Sequence, residues 1–160
     1  NLRDVSLGNQ GQLGAINEAI ADVVGVVFKQ SISGQYSDWK VRGTSRDLSN
    51  PFTVSNVNPE FAPKEGNDNG HVHSNSKLLS HAFYLASQKL AKVNTDREHK
   101  RLLKVWFNAA RYLEINSQKQ DYFAEFAKST IHFTQNEPDG SVLLPYVQSA
   151  WEAVGFSFKN

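Results

Sequence analysis

Apolar residues recur with a helical period through most of the chain. Ile16, Ala19, Ile20, Val23, Val24, Val27 and Phe28 fall every three to four positions, which is the spacing of one buried helix face. They predict a first helix from about Leu13 to Ser31, stopped by Gly34 and its polar neighbours Ser33 and Gln35. A second stripe, Leu78, Leu79, Ala82, Phe83, Ala86 and Leu90, comes after a helix start near Ser74–Ser76. A third runs through Leu102, Leu103, Trp106, Ala109, Ala110 and Leu113, with Thr95-Asp96-Arg97-Glu98 as its capping box. Tyr122, Phe123, Phe126, Ala127, Thr130 and Ile131 form a fourth behind the capping candidate Ser117-Gln118-Lys119-Gln120. Val147, Ala150, Trp151 and Val154 form the last, with Ser141 as its cap and Gly155 as its stop.

Between the first two stripes the pattern disappears. Phe52 to Asn69 holds Pro59, Pro63 and Gly66 among several asparagines and shows no period, so it reads as an irregular loop. Asp38-Trp39-Lys40-Val41 is short and reads as extended. Asn1 to Gln12 is polar and carries Gly8 and Gly11, which marks another loop. The expected fold is therefore all-α: a compact bundle of about five helices with a long irregular loop after the first. At 160 residues the chain suits one domain.

Composition narrows the possibilities without choosing among them. Charges nearly cancel, at net +1, so no nucleic-acid-binding face is expected. No apolar run approaches the roughly 18 residues of a membrane span. Cysteine is absent, which excludes disulfides and thiolate chemistry. The chain has no methionine and begins Asn1-Leu2-Arg3-Asp4, so it is expected to be a piece of a longer protein.

The chemistry concentrates in two places. Glu18 and Asp22 stand four apart on the first helix, one turn above the other. Like charges so placed repel by a few tenths of a kcal/mol even on an open surface. Beside an apolar stripe they call for a cation: a metal, an imidazolium or a guanidinium. His73 and Asp68 lie five apart after the long loop. Taken as bare residues, Glu18 is also readable as a solvated helix glutamate, Asp22 as a helix-face aspartate, Arg46 as a surface arginine and His73 as a satisfied loop or core histidine.

Motifs give these residues a context. Gly14-Ala15-Ile16-Asn17-Glu18-Ala19-Ile20-Ala21-Asp22 resembles the Gly-Ala-x-Asn-Glu-Ala-x-x-Asp segment of the thermolysin family of zinc metalloendopeptidases. Asp68-Asn69-Gly70-His71-Val72-His73-Ser74-Asn75-Ser76 resembles that family's Asp-Asn-Gly-Gly-Val-His-x-Asn-Ser-Gly. Arg42 to Pro51 resembles its Leu-Arg-x-Met-x-x-Pro segment, and Ala150 to Phe156 its closing Ala-Phe-x-Ala-Val-Gly-Val. The resemblance spans the chain and corresponds to the family's helical C-terminal domain.

Several roles come from the resemblance alone. It implies that Glu18 is the third protein ligand of a catalytic Zn2+, and that Asp22 orients an upstream ligand histidine. His73 would stabilise the transition state and Asp68 would hold its imidazole. Arg46 and Asn17 would bind substrate. The partner would be an N-terminal half carrying His-Glu-x-x-His, no copy of which is present here. Peptides or proteins would be the substrates, the chain alone would be inactive, and the complete enzyme would be secreted. The other reading is a non-catalytic binding or regulatory module that keeps the fold.

Three departures accompany the match. His71 and Lys77 stand where the family has glycine, and Asn9 and its neighbours include no tyrosine where the family has one. In an extended segment His71 and His73 would share a face, which offers an adventitious metal pair, but the reading preferred for His71 is a residue simply exposed near the cleft. Lys29, Lys40 and Arg42 hold the ground that the family uses for structural Ca2+. Lysines cannot supply oxygen ligands, so structural calcium is not expected. With no zinc in the chain alone, Arg46 is expected to compensate Glu18 and Asp22, with His73 and Asp68 paired nearby. A His73–Glu18 gap above about 15 Å would rule out a single zinc-centred site.

Overall fold

The computed structural model describes residues 8–90, 95–115 and 121–158. Among these the fold is all-α. Five helices run in order: α1 (Gly11–Ser33), α2 (Asp68–Leu90), α3 (Thr95–Arg111), α4 (Tyr122–Gln135) and α5 (Gly140–Ala153), with a short 3-10 turn at Val54–Asn56. A single isolated antiparallel bridge, Lys40 to Asp47, interrupts the connection from α1 to α2.

The apolar stripes meet in one core. Trp106 and Trp151 stack at 5.7 Å, and Phe83 and Phe126 meet them edge-on, the geometry that aromatic quadrupoles favour. Both indole N–H groups are satisfied although fully buried. Trp151 donates to Thr130 Oγ1 at 2.7 Å and Trp106 to the Leu79 carbonyl at 3.4 Å. Helix α1 packs against α2, α3 and α4, so it forms one wall of this core.

On α1 the buried face runs through Ile16, Ala19, Ile20, Val23, Val26, Val27 and Gln30. Val24 and Phe28, expected in that stripe, are 39% and 66% exposed. The apolar residues of α1 cover more than one face, and the packing partners decide which face is core. The same composition overturns the expectation about apolar length. Over an 18-residue window α1 has a mean hydropathy of 1.3, apolar enough for a membrane span, yet half of that window is buried against the rest of the protein.

Helix ends differ from expectation in detail. Gly34, at φ 71°, closes α1 and donates its N–H to the Gln30 carbonyl, as expected for a left-handed stop. Helix α5 begins at Gly140 behind Asp139, so Ser141 lies inside the helix and does not cap it. Helix α4 is capped by Asp121, whose Oδ1 accepts from the Ala124 N–H; the Ser117–Gln120 candidate lies outside the described residues. Helix α3 starts at Thr95 itself, and the residue before it is also outside them.

Close packing and a folded-back loop bring α1, α2 and their connection together. Gly14 lies where α1 meets the start of α2. A Cβ there would come within 2.6 Å of the Asn9 backbone and 2.7 Å of Val72 Cγ1. Residues 39–48 double back on themselves. Val41 N–H donates to the Arg46 carbonyl and Leu48 N–H to the Trp39 carbonyl, while the Trp39 and Leu48 side chains anchor the loop in the core.

A buried polar lock joins this loop to the helices. Gln30 donates through Nε2 to the Tyr36 and Asp38 carbonyls, and its Oε1 accepts from His99 Nδ1 at 2.9 Å. His99 is 1% exposed. Burial pushes the His99 imidazole down to about 4, against a smaller opposing pull from Asp96.

Gly14→Ala is expected to cost about 1–3 kcal/mol by overpacking. Gly25→Ala, whose Cβ would meet open space, is expected to be neutral or to gain up to about 1 kcal/mol from helix propensity. Urea unfolding of each variant checks this, and equal losses in both would contradict it. A second prediction concerns acid. His99 binds its proton more weakly folded than unfolded, so the unfolded state takes up protons first as the pH falls. Stability is expected to drop by roughly 2–3 kcal/mol between about pH 6.5 and pH 4. His99→Gln should flatten that interval, and an unchanged slope in the variant would contradict the assignment.

Candidate active site

Glu18 and Asp22 occupy successive turns of α1 at the edge of the core, and their surroundings differ. The Glu18 side chain keeps 32% of its exposure and that of Asp22 only 5%. A carboxylate as buried as Asp22 needs a partner, and Arg46 provides it. Arg46 Nε donates to Asp22 Oδ2 at 2.8 Å and a terminal nitrogen to Oδ1 at 2.7 Å. This two-pronged match of planar fork to carboxylate is the strongest common form of ion pair. The same terminal nitrogen lies 3.8 Å from Glu18 Oε2. The bond to Asp22 raises the Arg46 pKa, burial opposes it, and the charges of Asp22, Glu18 and Asp68 add to the rise. The guanidinium therefore stays charged at any working pH.

His73 reaches the same place from α2. Its Nε2 is 3.3 Å from Glu18 Oε2, well inside the 15 Å limit. Its Nδ1 sits 2.7 and 2.9 Å from the two oxygens of Asp68. Asp68 also accepts the His73 backbone N–H at 3.0 Å. Burial pushes the Asp68 carboxyl up, but the hydrogen bonds from the His73 backbone and ring outweigh it and hold the group below the ordinary aspartate value. Asp68 is thus ionised near neutral pH and accepts from Nδ1–H. The His73 and Asp68 side chains are 47% and 43% exposed.

A turn of the unusual hand makes the Asp68–His73 contact possible. Asp68, Asn69, Gly70 and His71 all have positive φ, at 52°, 56°, 88° and 61°. The regular right-handed part of α2 begins only after them. Each non-glycine residue in that conformation costs up to roughly 1–2 kcal/mol. Strain of this kind persists where the surroundings over-determine it, commonly at functional sites. Gly70 is indispensable there, because a Cβ would lie 2.2 Å from the Phe61 carbonyl oxygen and 3.2 Å from Gly11 Cα.

This backbone also corrects the reading of the histidine pair. The segment is not extended, so alternation does not put His71 and His73 on one face. His71 turns toward Glu60, with Nε2 3.8 Å from Oε2, while His73 turns toward Asp68 and Glu18. Asn17 is exposed beside Glu18 on α1. The structure therefore brings Glu18, Asp22, Arg46, His73 and Asp68 into one connected network, with Asn17 at its margin. Sequence reasoning overlooked Asn67, which braces the turn from behind; its only sequence signal was its place before Asp68.

The residues fit one corner of a metal site. Glu18 presents a half-exposed carboxylate, oriented by neighbours that leave it accessible. Among the described residues no group of three or more His, Cys, Asp or Glu side chains is arranged to hold a metal. Glu18 could serve as one ligand, and the others would have to come from outside these residues.

Comparison with known proteins gives this network a family. The family described as thermolysin metallopeptidase, alpha-helical domain, matches residues 6–156. An extracellular metalloprotease of Pectobacterium carotovorum subsp. carotovorum is 29% identical over 93% of this chain, which spans 48% of that relative. An extracellular elastase of Staphylococcus epidermidis is 29% identical over 91% of the chain, and a zinc metalloproteinase of Listeria monocytogenes 32% identical over 91%. The chain spans 28% of each of these two. A match across nearly the whole chain, on a fold of the same all-α class, means that the chain belongs to the thermolysin metallopeptidase alpha-helical domain family.

Proposed function

We propose that this chain is the C-terminal half of a secreted, thermolysin-like zinc metalloendopeptidase and supplies one wall of its peptide-cleaving site. The observation that carries the reading is the meeting of Glu18 and His73. They come from two helices, 55 positions apart in the chain, and lie 3.3 Å apart beside an arginine already committed to Asp22.

In this reading Glu18 is a zinc ligand and the remaining ligands come from an N-terminal half. Zinc, when bound, polarises a peptide carbonyl and activates water. The chain's own groups do the rest. Asp22 holds Arg46 in place, and in this reading it also orients a ligand histidine. Arg46 keeps further donors for a substrate carbonyl, with Asn17 alongside. His73, held by Asp68 at Nδ1, donates from Nε2–H as an imidazolium to the oxygen that gains charge as the carbonyl is attacked.

The exposed face of α1 supports this reading. Ala21, Val24, Gly25, Phe28 and Ile32 are all exposed next to Glu18 on the same helix. An apolar strip of that length marks a surface normally covered. A partner that brings two more ligands to Glu18 would cover it.

The position of Lys29 supports a second element of the proposal, the lack of structural calcium. Its ammonium lies 2.9 Å from Asp38 Oδ2 and donates to the Lys40 carbonyl at 2.5 Å. A side-chain cation thus occupies two of the oxygens that this loop offers. The bond from Lys29 also draws the Asp38 carboxyl below its ordinary value.

Two outcomes are expected. The purified chain alone should not cleave casein, whereas the chain joined to an upstream half bearing His-Glu-x-x-His should do so with zinc. In the joined protein, His73→Ala should cut kcat by roughly 10²–10³ while zinc content stays unchanged. Zinc-dependent cleavage by the chain alone, or a joined protein with no activity, would overturn the reading; the latter would favour a non-catalytic module. For calcium, a millimolar addition should move the melting temperature of the chain by no more than about 1 °C. A rise of several degrees would reveal specific binding to the folded state.

A further inference from the structure

The turn that brings Asp68 to His73 winds against the preferred hand, so something beyond those two residues must hold it. Asn67 is the residue placed to do so. It is 7% exposed, and every polar group of its side chain is engaged. Oδ1 accepts from the Lys64 N–H at 2.8 Å and the Gly70 N–H at 3.0 Å, and Nδ2 donates to the Ala62 carbonyl at 2.8 Å. Its backbone carbonyl accepts from Gly70 and His71 at 3.1 and 2.7 Å. One side chain therefore ties the 62–64 strip to the middle of the left-handed turn, while its own main chain closes that turn.

We propose that Asn67 is a positioning residue for the Asp68–His73 pair: it fixes the left-handed turn that sets the Asp68 carboxylate on His73 Nδ1 and leaves Nε2 facing Glu18. Asn67 touches neither His73 nor Glu18 and acts only through the backbone. The inference rests on the proposed role of His73 for its catalytic meaning. Its geometric content is independent of that role. Without the brace the turn can relax toward ordinary conformations, and the Asp68 carboxylate leaves Nδ1.

The imidazole tautomer reads this directly. Two carboxylates compete for the one proton of neutral His73: Asp68 at Nδ1, at 2.7 and 2.9 Å, and Glu18 at Nε2, at 3.3 Å. With Asp68 in place the proton belongs on Nδ1. Without it the proton moves to Nε2, toward Glu18. Long-range ¹H–¹⁵N correlation spectra of the full chain, taken well above the ordinary histidine pKa of about 6.5, distinguish the two forms.

The native chain is expected to show mainly the Nδ1–H form, and Asn67→Ala mainly the Nε2–H form with helical content retained. Asn75→Ala is the control. Asn75 is fully buried on α2 and bonds the backbone of Asn58 through both amide atoms. Its loss should lower stability without moving the tautomer. If Asn67→Ala does not fold, Asn67→Ser decides, because a serine cannot span from the turn to the Ala62 carbonyl. An unchanged Nδ1–H form in a folded Asn67 variant, or an equal shift in Asn75→Ala, overturns the proposal. This readout does not depend on zinc or on catalysis. Its failure would therefore strike the role of Asn67 alone, while absence of activity in the joined protein would strike the proposed function.

Discussion

Two carboxylates on one face of a largely apolar helix are the constraint on which this structure depends. Asp22 is nearly inaccessible and has to be neutralised, and Arg46 does so with both prongs of its guanidinium. A bidentate pair this buried is costly to break from one side, because the remaining charge is stranded. The fold is arranged to deliver that arginine. Trp39 and Leu48 sink into the core, the segment between them folds back in a short bridge, and Arg46 emerges over α1. Once Asp22 has taken the arginine, Glu18 is left with only a longer contact to it and stays open. The consequence is a division of labour between two chemically similar residues: the buried one organises, and the exposed one is free to bind.

The second constraint is backbone space. Helices α1 and α2 can bring Glu18 and His73 together only because Gly14 admits Val72 and Gly70 admits the Phe61 carbonyl. The left-handed turn that opens α2 then aims two side chains of opposite character at each other across five positions. None of this geometry requires a metal. The network stands on carboxylate, guanidinium and imidazole contacts alone.

Much of this is legible in the sequence. Periodicity finds all five helices, because each buries a stripe at 3.6-residue spacing. The Glu18/Asp22 spacing announces the need for a cation, and motif context points to Arg46, Asp68 and His73. Other features are not legible, for identifiable reasons. Val24 and Phe28 fall in the expected core stripe because α1 is apolar on several faces, and periodicity cannot say which face has a partner. The positive φ values of Asp68 to His71 depend on the brace from Asn67; reading the stretch before α2 as an irregular loop does not specify them. The His99–Gln30 lock joins residues 69 apart, and no pattern along the chain records such a pairing.

Zinc affinity tests the central claim most directly. The quantity to measure is the dissociation constant of zinc for the chain joined to an upstream half bearing His-Glu-x-x-His, with Glu18 intact and with Glu18→Gln. If Glu18 is a ligand, its loss should weaken binding by more than the roughly 10–100-fold that accompanies loss of an outer-shell partner, while the fold persists through the Arg46–Asp22 pair. Unchanged zinc affinity in a folded Glu18→Gln protein would mean that the open carboxylate on α1 does not hold the metal, and would contradict the zinc-site reading.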